Sequence, residues 1–219
     1  YSLVQSMVAQ VAQPVLVSLN GEEGRQKDVF RKMMRFTAFI TFPLLFGFGL
    51  VAKEFIVTAI GEKWLASAQL IQILCLSGAA MPLSTLFSNM IISKGKSGTF
   101  FWCTFTLGLV QIATMIMIWP MGIRWMVIAY TLLNMSWLLV WLFFVRRLIG
   151  YGYWMFFCDV MPFALAAAGV MGVAYIATMP LSNMIALLIT RFIIAVVLYY
   201  VVMKLARVKI LAECEKFVK

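Results

Sequence analysis

The sequence predicts an all-α fold, a polytopic bundle of about seven transmembrane helices. Three observations carry that expectation. Of 219 residues, 64% are hydrophobic and only 12% are charged, whereas a soluble domain is about half apolar and about a quarter charged. The mean hydropathy is +0.99. The apolar residues gather in runs of about 20, the length at which a helix crosses the hydrocarbon core. Backbone groups in lipid must bond within their own segment, so runs of this length are read as helices.

Taken in order, the expected spans are Leu3 to Leu19, Phe36 to Ala52 with an extension to Ile60, Leu65 to Ser93, Thr99 to Pro120, Trp125 to Val145, Phe156 to Thr178 and Met184 to Met203. The first is weak, because Gln5, Gln10 and Gln13 interrupt it. Short polar turns separate the later runs: "SKGKSG", "PMGIR", "RRLIGYG" and "MPLSN". Connections of that length join neighbouring antiparallel helices. Trp64, Trp102, Trp119, Trp125 and Trp154 fall near run ends, as an interfacial aromatic belt requires. Trp137 and Trp141 share one helix face, where core packing and sugar stacking are both open readings. No repeat or linker divides the chain, so residues 1–219 are read as one bundle.

Charge sets the orientation. Asn20 to Phe36 holds Arg25, Lys27, Arg31, Lys32 and Arg35. Lys94 and Lys96, Arg146 and Arg147, and a tail of Lys204, Arg207, Lys209, Lys216 and Lys219 fall on the same side if the spans alternate. The other side holds Lys53, Lys63 and Arg124. Cytoplasmic loops retain Lys and Arg, which places the Arg25–Arg35 stretch and the C-terminus in the cytoplasm and Tyr1 on the outer side. A net charge of +10 is therefore read as membrane topology and not as a sign of nucleic-acid binding. Within Asn20–Phe36, the spacing of Val29, Phe30, Met33 and Met34 predicts an amphipathic helix lying among the lipid headgroups. Its basic face would attract anionic lipid.

Several chemistries lack the residues they need. There is no histidine, and the four cysteines, Cys75, Cys103, Cys158 and Cys214, form no CxxC pair, so no metal site or cofactor is expected. "GKS" at Gly95 to Ser97 has Met90 where a phosphate-binding loop has glycine, and it joins two apolar helices. Asp159 is the only acid well inside a span. An interfacial ion pair with Arg146, Arg147, Lys204 or Arg207 is its expected role, and no second carboxylate near it in sequence would support hydrolysis.

Arg191 follows Met184 by seven residues, roughly 10 Å below the outer interface at helical rise. A charge near the bilayer centre costs about 2.5–3.5 kcal/mol on insertion scales. Arg191 should therefore face the protein interior, a wet cavity or a headgroup, either binding an anionic substrate or pairing structurally. Helical rise puts it at a different depth from Asp159, so the two are not expected to bond. Gln111 and Asn134 sit near mid-depth. They suit interhelical hydrogen bonds or a sugar. Arg191, Gln111 and Asn134 are the candidate substrate-binding residues. Pro14, Pro43, Pro82 and Pro162 fall in or at the ends of spans, where each removes a backbone hydrogen bond.

The stretch from Pro14 to Trp64 carries a resemblance. A helix ending "PVLVSL", an acidic then basic loop, a span with "TFPLLFGFGL", and "GEKW" are followed by the turn "ISKGKSG". Over about its first hundred residues the chain resembles the bacterial polysaccharide-transporter family, the Wzx-like flippases of lipid-linked oligosaccharides. The resemblance implies about fourteen helices in two lobes. This chain would then be most of the second lobe plus the last two helices, with the N-terminal lobe missing. A first residue other than methionine fits such a partial chain. The implied substrate is an undecaprenyl-pyrophosphate-linked oligosaccharide, moved across the bacterial inner membrane for O-antigen, capsule or exopolysaccharide synthesis. The implied partners are this substrate and membrane lipids. The alternatives are a multidrug exporter of the same superfamily, for which no deep coupling carboxylate is evident, and a polytopic membrane enzyme, for which no histidine or long polar loop is available.

Overall fold

The computed structural model describes residue 10, residues 12–179 and residues 184–205. Six long helices follow one another: α1 Glu23–Ala59, α2 Leu65–Ser93, α3 Ser97–Ile118, α4 Ile123–Ile149, α5 Tyr153–Ala177 and α6 Met184–Leu205. There is no strand among the described residues. All six helices contain a stretch long and apolar enough to cross a membrane. The chain is thus an all-α, multi-pass membrane bundle. The expected first span, Leu3 to Leu19, lies largely outside the described residues, although residues 12–18 are helical. The turn "MPLSN" and the basic tail beyond Lys204 also lie mostly outside them, as does Cys214.

The turns "SKGKSG", "PMGIR" and "RRLIGYG" fall between consecutive helices, as expected, and positive-φ glycines serve them, as two show. Gly122 has φ 92° ahead of α4, and Gly150 has φ 65° at the end of α4. Both are left-handed positions that a side chain would strain. Gly150 also donates its N–H to the Arg146 carbonyl at 2.9 Å, closing the last turn of α4.

The first half of α1 overturns one expectation. Asn20–Phe36 is not a loop carrying a separate interfacial helix. From Glu23 onward it forms one continuous helix with the span that follows, 37 residues in all. At 1.5 Å per residue this is roughly 55 Å, well beyond the hydrocarbon thickness. The apolar face faces protein and not headgroups. Phe30 and Met34 are fully buried, and the Phe30 ring lies 5.8 Å from Phe87 and 5.4 Å from Tyr151. Apolar residues three and four apart identify an amphipathic helix but not what covers its face. Gln26, also fully buried, ties the start of α1 to the preceding helical stretch by donating to the Leu16 carbonyl at 2.7 Å.

Helix α1 is the hub of the bundle. It packs on α2, α5 and α6; α2 in turn carries α4, which carries α3. Small residues set the closest approaches, as they do where lipid offers no hydrophobic drive between helices. A Cβ on Gly47 would stand 3.4 Å from the Met171 methyl of α5, and one on Gly49 would stand 3.4 Å from the Cys75 Cβ of α2. Pro43 lies inside α1 and cannot donate to the Phe39 carbonyl one turn back. The Tyr199 hydroxyl of α6 donates to that carbonyl instead, at 3.0 Å. The break that proline makes in α1 thus becomes a hydrogen bond between helices.

The tryptophans fall into two groups. Trp64, Trp102, Trp119, Trp125 and Trp154 are all exposed, while Trp141 is buried and stacks on Phe100 with centroids 6.1 Å apart. Trp137 packs against the same core. The pair therefore serves core packing.

Phe30→Ala is expected to destabilise the protein by about 3 kcal/mol, the low end for a truncated core phenylalanine. Phe36→Ala, which removes an exposed ring, should leave stability within about 0.5 kcal/mol. Thermal unfolding of both variants in the same detergent checks the contrast.

Candidate functional site

Between α1, α2 and α6 lies a cavity of about 910 Å³. Its wall is mostly apolar, with Pro43, Gly47, Cys75, Met81 and Phe192 among the lining residues. The polar groups at its edge are Arg191, Ser77 and three tyrosines, Tyr130, Tyr199 and Tyr200. A neighbouring, more open crevice of about 800 Å³ shares Cys75 and Met171 with it and is bordered by Gln69, Gln72, Arg124 and Tyr175. Both spaces lie beside the part of α1 that contains Gly47 and Gly49, where small residues leave room.

Among the described residues, Arg191 is the only charged one lining the large cavity. It is 5% exposed, and its donors are held from two helices. Nη1 donates to Glu54 Oε1 of α1 at 2.6 Å, and Nε donates to Thr178 Oγ1 at the end of α5, at 2.9 Å. Thr178 Oγ1 in turn donates to the Ala174 carbonyl at 2.8 Å. The guanidinium also lies over the Tyr175 ring, 4.9 Å from its centroid, a cation–π contact that gains strength away from water. Glu54 Oε2 is buried with no hydrogen-bond partner among the described residues. One carboxylate oxygen is thus satisfied, and the other is left as an acceptor in a dry place.

Glu54 is a buried group that the sequence does not announce. It stands five residues before the end of α1, next to Lys53, and reads as the flank of an outer loop. The available signal was the helix itself: an acid one turn inside a span deserves the same question as Arg191. Glu54, a buried acid five residues before the end of α1, is passed over by the sequence reading, in which no coupling carboxylate is evident.

Asp159 is fully buried, and its partners also differ from those expected. Arg146, Arg147 and Lys204 are not its ligands, and Arg207 lies outside the described residues. Arg31 donates Nε to Oδ2 at 2.9 Å and Nη2 to Oδ1 at 3.1 Å, a two-pronged contact. Arg35 donates Nε to Oδ1 at 2.6 Å, and the Tyr151 hydroxyl donates to Oδ2 at 3.2 Å. Burial, reinforced by the adjacent Asp159 charge, pushes the Tyr151 hydroxyl above its ordinary value, so it remains a donor. These partners are at least 124 residues away in sequence, apart from Tyr151. As expected, Asp159 does not bond Arg191; the two charges meet opposite ends of α5.

Gln111 and Asn134 meet one another. Gln111 Nε2 of α3 donates to Asn134 Oδ1 of α4 at 3.4 Å, and Asn134 Nδ2 donates to the Tyr130 carbonyl at 2.8 Å. Neither residue lines the cavity that Arg191 borders. The structure therefore places the three candidates in two groups, one at the cavity and one in the α3–α4 contact.

Residues 1–69 match a family described as polysaccharide biosynthesis protein, and the match contains the whole stretch from Pro14 to Trp64. The chain resembles the polysaccharide biosynthesis membrane proteins. It is 28% identical over 95 residues to an uncharacterized membrane protein in the cps region of Klebsiella pneumoniae, covering 43% of this chain and 20% of that protein. It is 29% identical over 100 residues to the teichuronic acid biosynthesis protein TuaB of Bacillus subtilis, covering 45% of this chain and 21% of TuaB. It is 22% identical over 90 residues to the lipopolysaccharide biosynthesis protein WzxC of Escherichia coli, covering 41% and 18% respectively. Each match thus spans about a fifth of the relative's length. No solved structure matches the chain.

Removing one partner of the Arg191–Glu54 pair should cost about 3–5 kcal/mol, because the other charge is left uncompensated. Glu54→Leu with Arg191→Met together should recover most of that loss. A double-mutant cycle by thermal unfolding in detergent measures the coupling. Gln111→Leu should cost only about 0.6 kcal/mol, the average for a membrane side-chain hydrogen bond.

Proposed function

We propose that this chain is part of a flippase that moves an undecaprenyl-pyrophosphate-linked oligosaccharide from the inner to the outer leaflet of the bacterial inner membrane, for surface polysaccharide synthesis. The observation that carries this reading is the similarity of residues 1–69 to polysaccharide biosynthesis proteins, in a chain built of long apolar helices. The role is transport and not catalysis. The chain supplies most of a second lobe and the final two helices, with a first lobe outside this sequence. The α1 start, the α2–α3 turn, the α4–α5 turn and the end of α6 face the cytoplasm, where their basic residues belong.

The cavity supports the reading in physical terms. A lipid-linked diphosphate needs apolar wall for its lipid and a cation for its phosphates. Both occur at the α1, α2 and α6 cavity, where Arg191 is the charged group. In the described state Glu54 occupies that guanidinium. An anionic substrate would compete with Glu54 for the Arg191 N–H groups and would gain charge-assisted bonds of about 1.5–3 kcal/mol each. Gln111 and Asn134 keep a place in this reading only if the α3–α4 contact opens to the sugar. One observation favours the multidrug-exporter alternative: Glu54 is a buried carboxylate beside a largely apolar cavity.

The test uses the full-length protein in a strain lacking its own flippase. The wild type should restore surface polysaccharide. Arg191→Ala, at matched expression, should lower it about tenfold, the loss of a single charge-assisted hydrogen bond. Unchanged polysaccharide in the Arg191 variant removes that residue from the substrate site. If the wild-type gene restores drug resistance and not polysaccharide, the exporter reading replaces the flippase.

A further inference from the structure

A second cationic site stands at the opposite end of α1 from Glu54. We propose that Arg31 and Arg35, set side by side by Asp159, bind the phosphate of an anionic phospholipid in the cytoplasmic leaflet. The proposal rests on the membrane orientation given above and is independent of which substrate the protein carries.

The geometry is that of a half-neutralised pair. Asp159 meets both guanidiniums through Nε and Nη2. Nη1 of each, with two N–H donors, is not engaged by Asp159. The carboxylate is fully buried, yet the Arg31 and Arg35 side chains remain 30% and 43% exposed. One negative charge therefore holds two positive ones in place without cancelling both. The Tyr151 hydroxyl adds a further donor to the same carboxylate, which keeps Asp159 fixed and leaves the arginines as the accessible groups.

The surroundings point to a lipid. Lys27 places its amine over the turn at Gly150, and Arg146 lies 5.6 Å above the Tyr153 ring. The acid facing this group from α1 is Asp28, beside Arg31, and from α5 it is Asp159. Lys27, Arg31 and Arg35 against Asp28 and Asp159 leave this end of α1 positive. Just past Arg35 the same helix turns apolar, with Phe36 and Leu44 exposed, so the two guanidiniums stand where α1 enters the hydrocarbon. A phosphate bound over the guanidiniums at that depth would belong to a lipid headgroup, with its acyl chains in the surrounding bilayer. Arginine suits the task because its planar fork binds phosphate with two parallel hydrogen bonds. The bound anion would also reduce the repulsion between Arg31 and Arg35, so it should strengthen the contact between α1 and α5.

Full-length protein in a neutral detergent, titrated with phosphatidylglycerol, phosphatidylcholine or inorganic phosphate and read by native mass spectrometry and thermal unfolding, tests this. Phosphatidylglycerol should be retained and should raise the unfolding midpoint, with phosphatidylcholine weaker. Arg31→Gln and Arg35→Gln should each weaken phosphatidylglycerol binding about fivefold, while Lys63→Gln at the other end of the bundle should not. If the glutamine variants do not fold, Arg35→Lys keeps the charge opposite Asp159 and should still weaken retention. Equal retention in wild type and in the Arg31 and Arg35 variants overturns the proposal. So does equal binding of phosphatidylcholine, or displacement of phosphatidylglycerol by equimolar inorganic phosphate, which would mark a soluble anion as the occupant.

Discussion

A charge inside a membrane-spanning helix must find its counter-charge in the protein, and in this chain that requirement converges on α1. Asp159 on α5 takes Arg31 and Arg35 from the first half of α1, and Arg191 on α6 takes Glu54 from its last turns. One long helix thus holds the partner of each buried charge, at two depths. An unpaired ion in this setting is costly enough to unfold a helix contact. The two clusters therefore fix the register of α5 and α6 along α1 more firmly than dispersion contacts alone could, since lipid competes for those.

Between the two clusters the packing is governed by small residues and by a missing donor. Gly47 and Gly49 let α5 and α2 approach α1 closely, and Pro43 frees a carbonyl that Tyr199 takes up. The cavity opens along the same segment. A helix that combines proline and glycine there cannot present a continuous wall of large side chains, so space remains between α1, α2 and α6. That is why the apolar space and the buried arginine occur together: the ion pair stands at the edge of the least filled part of the bundle.

The arrangement separates two kinds of cationic site. Arg191 is buried and matched by one carboxylate of opposite charge. Arg31 and Arg35 are half-exposed and share one carboxylate between them. The first suits a group that must desolvate to reach a cavity, and the second suits a headgroup that stays at the water boundary. The resemblance to polysaccharide biosynthesis proteins covers residues 1–69, and this segment contributes Arg31, Arg35 and Glu54 but neither Asp159 nor Arg191. Both clusters join the matched part of the chain to the part that follows it.

Much of the fold is legible in the order of the residues. Runs of apolar residues bounded by tryptophan, with Gly122 and Gly150 at the turns, specify helices and their ends, because bilayer thickness and backbone satisfaction leave no other solution. The hydrogen bonding of Gln111 and Asn134 is also within reach, since both lie on adjacent helices at similar depth. The charged stretch Asn20–Phe36 is not. Lys and Arg in an apolar chain read as water-facing, and no local pattern tells that Arg31 and Arg35 answer to a carboxylate more than 120 residues away. Glu54 is hidden for the same reason, as its partner lies on a helix 137 residues later. The sequence by itself determined that this is a helical membrane protein and where its spans turn, because those are matters of local length and polarity. Which charges meet, and where a cavity remains, was decided only when distant helices came side by side.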